Sequence, residues 1–264
     1  MTLRLVSIPL LKMSESSDPF ESPRTLLEWA KADNNELEKQ FREFVDANLT
    51  EDIIEYDPVT RIGIRKIKIR HEPPTEWRRI AYQSALHIRS ALDHVVAAGI
   101  VKLSRDYPDK MMLPFSSNPR DLDARLIVGK VPKEFHPLIK QLQPYPTGQD
   151  YEGGDNILCA LNRVANINKH VSTLGIGCNI GEMVINNINI IGNAVVTGTI
   201  NRENKTIELF KWIGEHDIRY DSFIPISLQF SDLGHKKGGD YFELTQHCGQ
   251  KAEEFLTSIE ALCS

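Results

Sequence analysis

The sequence predicts an α+β fold: a helical bundle with an inserted β-hairpin, followed by a small antiparallel sheet and a C-terminal helix. Three observations carry this expectation. Apolar residues recur at spacings of three and four over residues 23–47, 74–104 and 156–173. The period falls to two over residues 51–71, and β-branched residues and asparagine dominate after Gly175. A Gly238–Gly239 break then opens a last helical stretch over residues 240–262.

The elements follow in order. Residues 13–22 are polar and Ser-rich and read as a lead-in. Ser22 suits a helix cap and Pro23 a first turn, so a helix is expected over 23–47, with Leu26, Ala30, Leu37, Phe41, Phe44 and Val45 on its apolar side. Ile53, Ile54 and Tyr56 precede an Asp57–Pro58 turn. Ile62 and Ile64 alternate in one phase, Ile67 and Ile69 in the other, which predicts a hairpin with a β-bulge at Arg65–Lys66. The long helix over 74–104 carries Trp77, Ala81, Ala85, Ile88, Leu92, Val95, Gly99 and Leu103 as one stripe. Short helices are expected from Asn118–Pro119 to near Gly129, and from Pro132 to before Pro144. Asp155 caps the next helix, and strands are expected over 182–200, 205–213 and 222–230, the first two joined by a turn at Asn201–Asn204. Two regions result, 23–175 with the hairpin at 51–71, and 176–264, packed as one unit.

A chain of 264 residues with 41% hydrophobic and 25% charged residues has enough apolar surface for a real core. The net charge of −5 argues against unspecific coating of nucleic acid but leaves room for a local basic site. The four cysteines form no C-x-x-C pair, so reduced thiols in the cytoplasm are expected rather than a zinc cluster or disulfide framework. The opening MTLRLVSIPLLK is interrupted by Arg4 and Pro9 and lacks a small-residue cleavage site, so it does not read as a signal peptide. No apolar run reaches the ~18 residues of a membrane span.

Three features carry chemistry. On the helix after Asp155, the side chains of Asn162, Arg163, Asn166, Lys169 and His170 fall within a sector of about 120° at 100° per residue. Two cations, two amides and one imidazole suit an anionic ligand such as a phosphate, and equally suit a solvated helix face. The long helix holds His87, Arg89, Ser90, Asp93 and His94 in the run HIRSALDH. His87 and His94 share a face, and Arg89 and Asp93 can pair at i,i+4. Arg89 and His94 diverge by about 140°, so only the reach of Arg brings both to one substrate. The hairpin region concentrates Arg61, Arg65, Lys66, Lys68, Arg70, Arg78 and Arg79. Such a patch can follow a nucleic-acid backbone, with Lys66, Lys68 and Arg70 as contacts, or simply blunt a strand edge. There is no Walker loop, G-x-G-x-x-G, H-E-x-x-H or G-x-S-x-G, and no metal or cofactor is expected.

Arg89 to His94 and Arg163 to His170 both match R-x(4–6)-H on a helix. In this the chain resembles the HEPN superfamily over roughly residues 23–175, and its pairing of the IRSALDH and LNRVANINKH segments is also similar to a group of uncharacterised bacterial proteins. The polar residue that HEPN members commonly place after the Arg is matched by Ser90 and not by Val164. The resemblance implies a metal-independent endoribonuclease of toxin or antiviral-defence type, with RNA and a second copy as partners. His94 or His170 would move the proton and Arg89 or Arg163 would stabilise the phosphorane. Asn162, Asn166, Lys169, Ser90, Asp93 and His87 would line the substrate. The alternative is a non-catalytic binding or assembly protein, with these residues forming a buried network between helices and the β-layer carrying the interface. In it, His94→Ala and His170→Ala chiefly lower the melting temperature. A small-molecule enzyme is a third possibility and requires a closed pocket.

Overall fold

The computed structural model describes residues 18–47, 50–69, 72–104, 111–170, 175–180, 184–201, 204, 206–223, 226–230 and 239–264. The helices are α1 (Glu21–Asp46), α2 (Glu76–Ser104), α3 (Pro119–Val128), α4 (His136–Leu142), α5 (Asn156–His170) and α6 (Tyr241–Cys263). A 3-10 turn, Lys133–Phe135, leads into α4. The strands are β1 (Thr50–Asp57), β2 (Ile62–Ile69), β3 (Ile176–Ile180), β4 (Val184–Asn201), β5 (Thr206–Phe223) and β6 (Ile226–Phe230). The α+β class, the hairpin between α1 and α2 and the closing helix all stand as expected.

The bundle is built around α2. Its buried stripe, Trp77, Ala81, Ala85, Ile88, Leu92 and Val95, meets Leu27, Ala30 and Leu37 of α1 and Leu244, Cys248, Phe255 and Ile259 of α6 in one continuous core. Each large side chain removed from water there contributes about 1.5–3 kcal/mol. Small residues set how closely the helices approach: a Cβ on Gly99 would lie 2.7 Å from both Ile259 and Phe135. Leu158, Leu161 and Val164 bring α5 onto the same core. So do Leu228 and Phe230 of β6, which pairs with β3 in a separate two-stranded sheet.

The larger sheet has the order β1-β2-β5-β4, antiparallel throughout. Its own core is Ile67, Ile207, Leu209, Phe210 and Trp212. The register shifts between Arg65 and Lys66, which pair with Phe210 and Glu208, so the intervening Leu209 is the bulged residue. A bulge lets successive side chains enter one core, and both Leu209 and Phe210 are fully buried.

Several expectations are corrected. Helix α1 begins before Ser22: Phe20 is the N-cap, and Asp18 Oδ1 accepts from its amide at 3.0 Å. The second strand after Gly175 does not stop at residue 213. It continues to Phe223, because Gly214 at φ 77° absorbs an irregularity that would end a strand of bulkier residues. Strand β3 was not expected. Across residue 175, the hairpin joins β5 in one sheet, and α6 packs into the N-terminal bundle. The MTLRLVSIPLLK segment, residues 171–173 of the expected α5 helix, and Gly238 lie outside the described residues.

Among the described residues no helix is long and apolar enough to cross a membrane.

Candidate functional site

Arg89 is the centre of a polar network where α2 faces α5. Its Nε donates to Asn162 Oδ1 at 3.0 Å, Nη1 to Asp93, and Nη2 to the Leu113 carbonyl at a long 3.5 Å. The guanidinium lies over the Phe115 ring, 4.8 Å from its centre. Asp93 Oδ1 also accepts from the Leu113 amide at 2.7 Å. The i,i+4 spacing puts Arg89 and Asp93 on one stripe of α2, while the 111–115 segment closes over them. With 8% of its surface exposed, Arg89 is among the few buried charges of the fold. Such a charge is tolerated because carboxylate, amide, carbonyl and ring together replace its hydration.

His94 lies on another side of α2. It is exposed, and its Nδ1 is 2.8 Å from Ser22 Oγ of α1. The 140° divergence expected from helix geometry is therefore not closed by the reach of Arg89, whose side chain is held by Asn162 and Asp93. Arg89 and His94 do not form one site within a chain. His87 also faces α1: its Nδ1 is 3.4 Å from Asp33 Oδ2, without hydrogen-bond geometry, and its ring is 5.5 Å from that of Trp29. Ser90 is half-buried on α2.

The polar stripe of α5 is divided. Asn162 turns toward Arg89, whereas Arg163 and Asn166 are exposed. Lys169 and His170 belong to the helix by their backbone, and their side chains lie outside the described residues.

The basic hairpin is largely neutralised by its own partner strand. Arg65 Nε donates to both Asp52 oxygens at 2.9 Å, and Lys66 Nζ reaches Glu55 Oε2 at 2.6 Å. Lys68 is exposed and stands opposite Glu51 in the register. Arg70 lies outside the described residues. Local sequence shows the cations together, but antiparallel pairing sets the acidic β1 beside them, so a continuous positive track over Lys66 and Lys68 does not form.

A second cluster, gathered on the buried Asp155, escaped the sequence reading. Asp155 accepts from the Leu158 amide at 2.9 Å, as expected of an N-cap. Its other oxygen lies 2.7 Å from His247 Nε2 and 2.8 Å from Lys251 Nζ, both on α6. Burial pushes the Asp155 carboxyl up, but the hydrogen bonds from His247, the Leu158 amide and Lys251 together outweigh it. The net shift is down from the ordinary 3.8. The available signal was the i,i+4 spacing of His247 and Lys251 on one helix face. Cys159 sits nearby, and burial, then the Asp155 charge, push its thiol up to about 11. That disfavours the thiolate a nucleophile needs. The cleft beside Lys251, between α4 and α6, holds about 180 Å³, less than the ~300 Å³ at which ligand pockets usually begin.

Among the described residues no group of three or more His, Cys, Asp or Glu side chains is placed to hold a metal ion. Comparison with family models, with curated proteins and with solved structures finds no match to this chain.

Proposed function

We propose that this chain is a non-catalytic binding or assembly protein, in which the helical bundle is a rigid platform and the antiparallel sheet carries the interface. The observation that carries the reading is the fate of Arg89: all three guanidinium nitrogens are engaged inside the chain, and His94 is turned to α1. An arginine so enclosed positions α5 and the 111–115 segment and offers nothing to a scissile phosphate. The neutralised hairpin also weakens the case for a nucleic-acid track. Exposed apolar side chains gather on the sheet and its turn: Ile54, Tyr56, Val59, Ile191, Val195, Val196 and Ile213. Apolar surface left exposed in this way suits a protein partner.

The test is incubation of the purified protein with RNA in EDTA. The proposal expects no cleavage, and Arg89→Ala to lower stability. Metal-independent cleavage that disappears in folded His94→Ala or Arg163→Ala would overturn it.

A metal-independent ribonuclease is the second reading. One observation favours it: Arg163 and Asn166 are exposed on α5, about two turns and one turn respectively from the Lys169–His170 end of the helix. Two copies of α5 facing each other would then supply the site. The same assay with Arg163→Ala decides it.

A further inference from the structure

Strand β4 ends the larger sheet, with β5 on one side and no strand of the described residues on the other. Its 18 residues, VINNINIIGNAVVTGTIN, contain no Asp, Glu, Lys, Arg, His or Pro. Proteins ordinarily blunt an exposed strand edge with charge, proline, bulges or a covering element, because its free N–H and C=O groups are a template for another strand. The opposite edge, β1, follows that rule with Glu51, Asp52, Glu55 and Asp57.

The bulges of β4 leave its middle usable. Extra residues fall between Asn186 and Asn189 and between Val196 and Thr199, so they bound the segment Asn189–Val196. Within it the irregularity at Gly192–Asn193 lies on the β5 side, where two additional residues are accommodated. Gly192, at φ 105°, bends the segment without inserting a residue. Ile191, Val195 and Val196 are 62%, 65% and 46% exposed, and Ile213 of β5 beside them is 57% exposed.

We infer that the β4 edge pairs with the β4 edge of a second copy of this chain, joining two four-stranded sheets into one continuous antiparallel sheet. This rests on the binding reading above and names its partner. Charge selects the occupant. A two-fold antiparallel pairing sets the residues at the axis beside their own copies, so a charged residue there repels itself. An uncharged edge escapes this, and β4 is one, whereas β1 carries four carboxylates, of which Asp52 and Glu55 are already engaged by Arg65 and Lys66 of β2. Main-chain hydrogen bonds fix the register, and Ile191, Val195 and Val196 supply the apolar burial.

The full chain is tested at micromolar concentration by light scattering coupled to size exclusion. Wild type is expected at the mass of a dimer, and Ile191→Lys/Val195→Lys at that of a monomer with unchanged far-UV circular dichroism. Should the double variant fail to fold, Asn193→Lys, a polar-to-charged change at an exposed position, replaces it. Hydrogen exchange locates the contact: residues 189–196 gain protection as the protein is concentrated, and residues 50–57 do not. A monomeric wild type, a folded lysine variant that stays dimeric, or protection arising elsewhere overturns the pairing. None of these outcomes involves RNA cleavage, so the pairing can fail while the binding reading stands.

Discussion

Arg89 Nε donates to Asn162 Oδ1 at 3.0 Å and so ties the middle of α2 to α5 across 73 residues of chain. This bond joins the two segments that each carry an Arg and a His, and it does so through neither histidine. Arg89→Ala leaves the half-buried Asp93 without its cation and Asn162 without its donor, and is expected to cost about 3 kcal/mol. Asn162→Ala is expected to cost about 1 kcal/mol. Urea unfolding of the single and double variants should give a coupling of roughly 1 kcal/mol. A coupling near zero would mean that the bond does not hold the two helices.

His94 behaves differently because it is exposed and its one hydrogen bond, to Ser22, is at the surface. His94→Ala is expected to change stability by less than ~1 kcal/mol. Of the His, Arg and Asn residues expected in a buried network between helices, Arg89 is buried and bonded to Asn162, whereas His94 is exposed. Thermal unfolding at pH 7 compares the two alanine variants directly.

Asp155 predicts an acid dependence. Its carboxyl is depressed from 3.8 in the folded state. The unfolded chain therefore binds the proton more readily, and the contribution is fully present above about pH 4–5. It is lost as pH falls through the folded-state value. Asp155→Asn should flatten the loss of stability below about pH 4 while lowering stability at pH 7 by about 1–2 kcal/mol. Lys251 is about a quarter exposed, so solvent screening keeps the effect at that modest level. Denaturant midpoints measured between pH 3 and 7 for both proteins check the slope.

Gly63 lies under Trp212. A Cβ at residue 63 would fall 2.1 Å from the indole Cε2, and Trp212 is 2% exposed. Gly63→Ala is expected to destabilise by about 2–3 kcal/mol through overpacking. The tryptophan emission should shift toward that of solvated indole. An unchanged spectrum and midpoint would show that the sheet core repacks freely.

Local signals in the sequence already determined the helices, several caps and the position of the register shift, though not the strand that carries the extra residue. The three-and-four spacing marks the α2 stripe because a helix repeats its face every turn. Asn118 and Asp155 cap their helices through amides three residues on. The phase change at Arg65–Lys66 coincides with a register shift against β5, but the β1–β2 hairpin is continuous there and the extra residue is Leu209 of β5, not a residue inserted in β2. Only the tertiary structure decided what those faces meet. That Asn162 turns to Arg89 while Arg163 faces solvent depends on where α5 lands on the bundle. That Arg65 and Lys66 are neutralised depends on register, and that Asp155 meets His247 depends on two helices 92 residues apart. Periodicity records which side of an element is apolar; the identity of the neighbour is a non-local contact that no window of the chain contains. The β4 edge stands between the two: its lack of charge is written in the sequence, but its place at the end of a sheet, among the described residues, is a property of the fold.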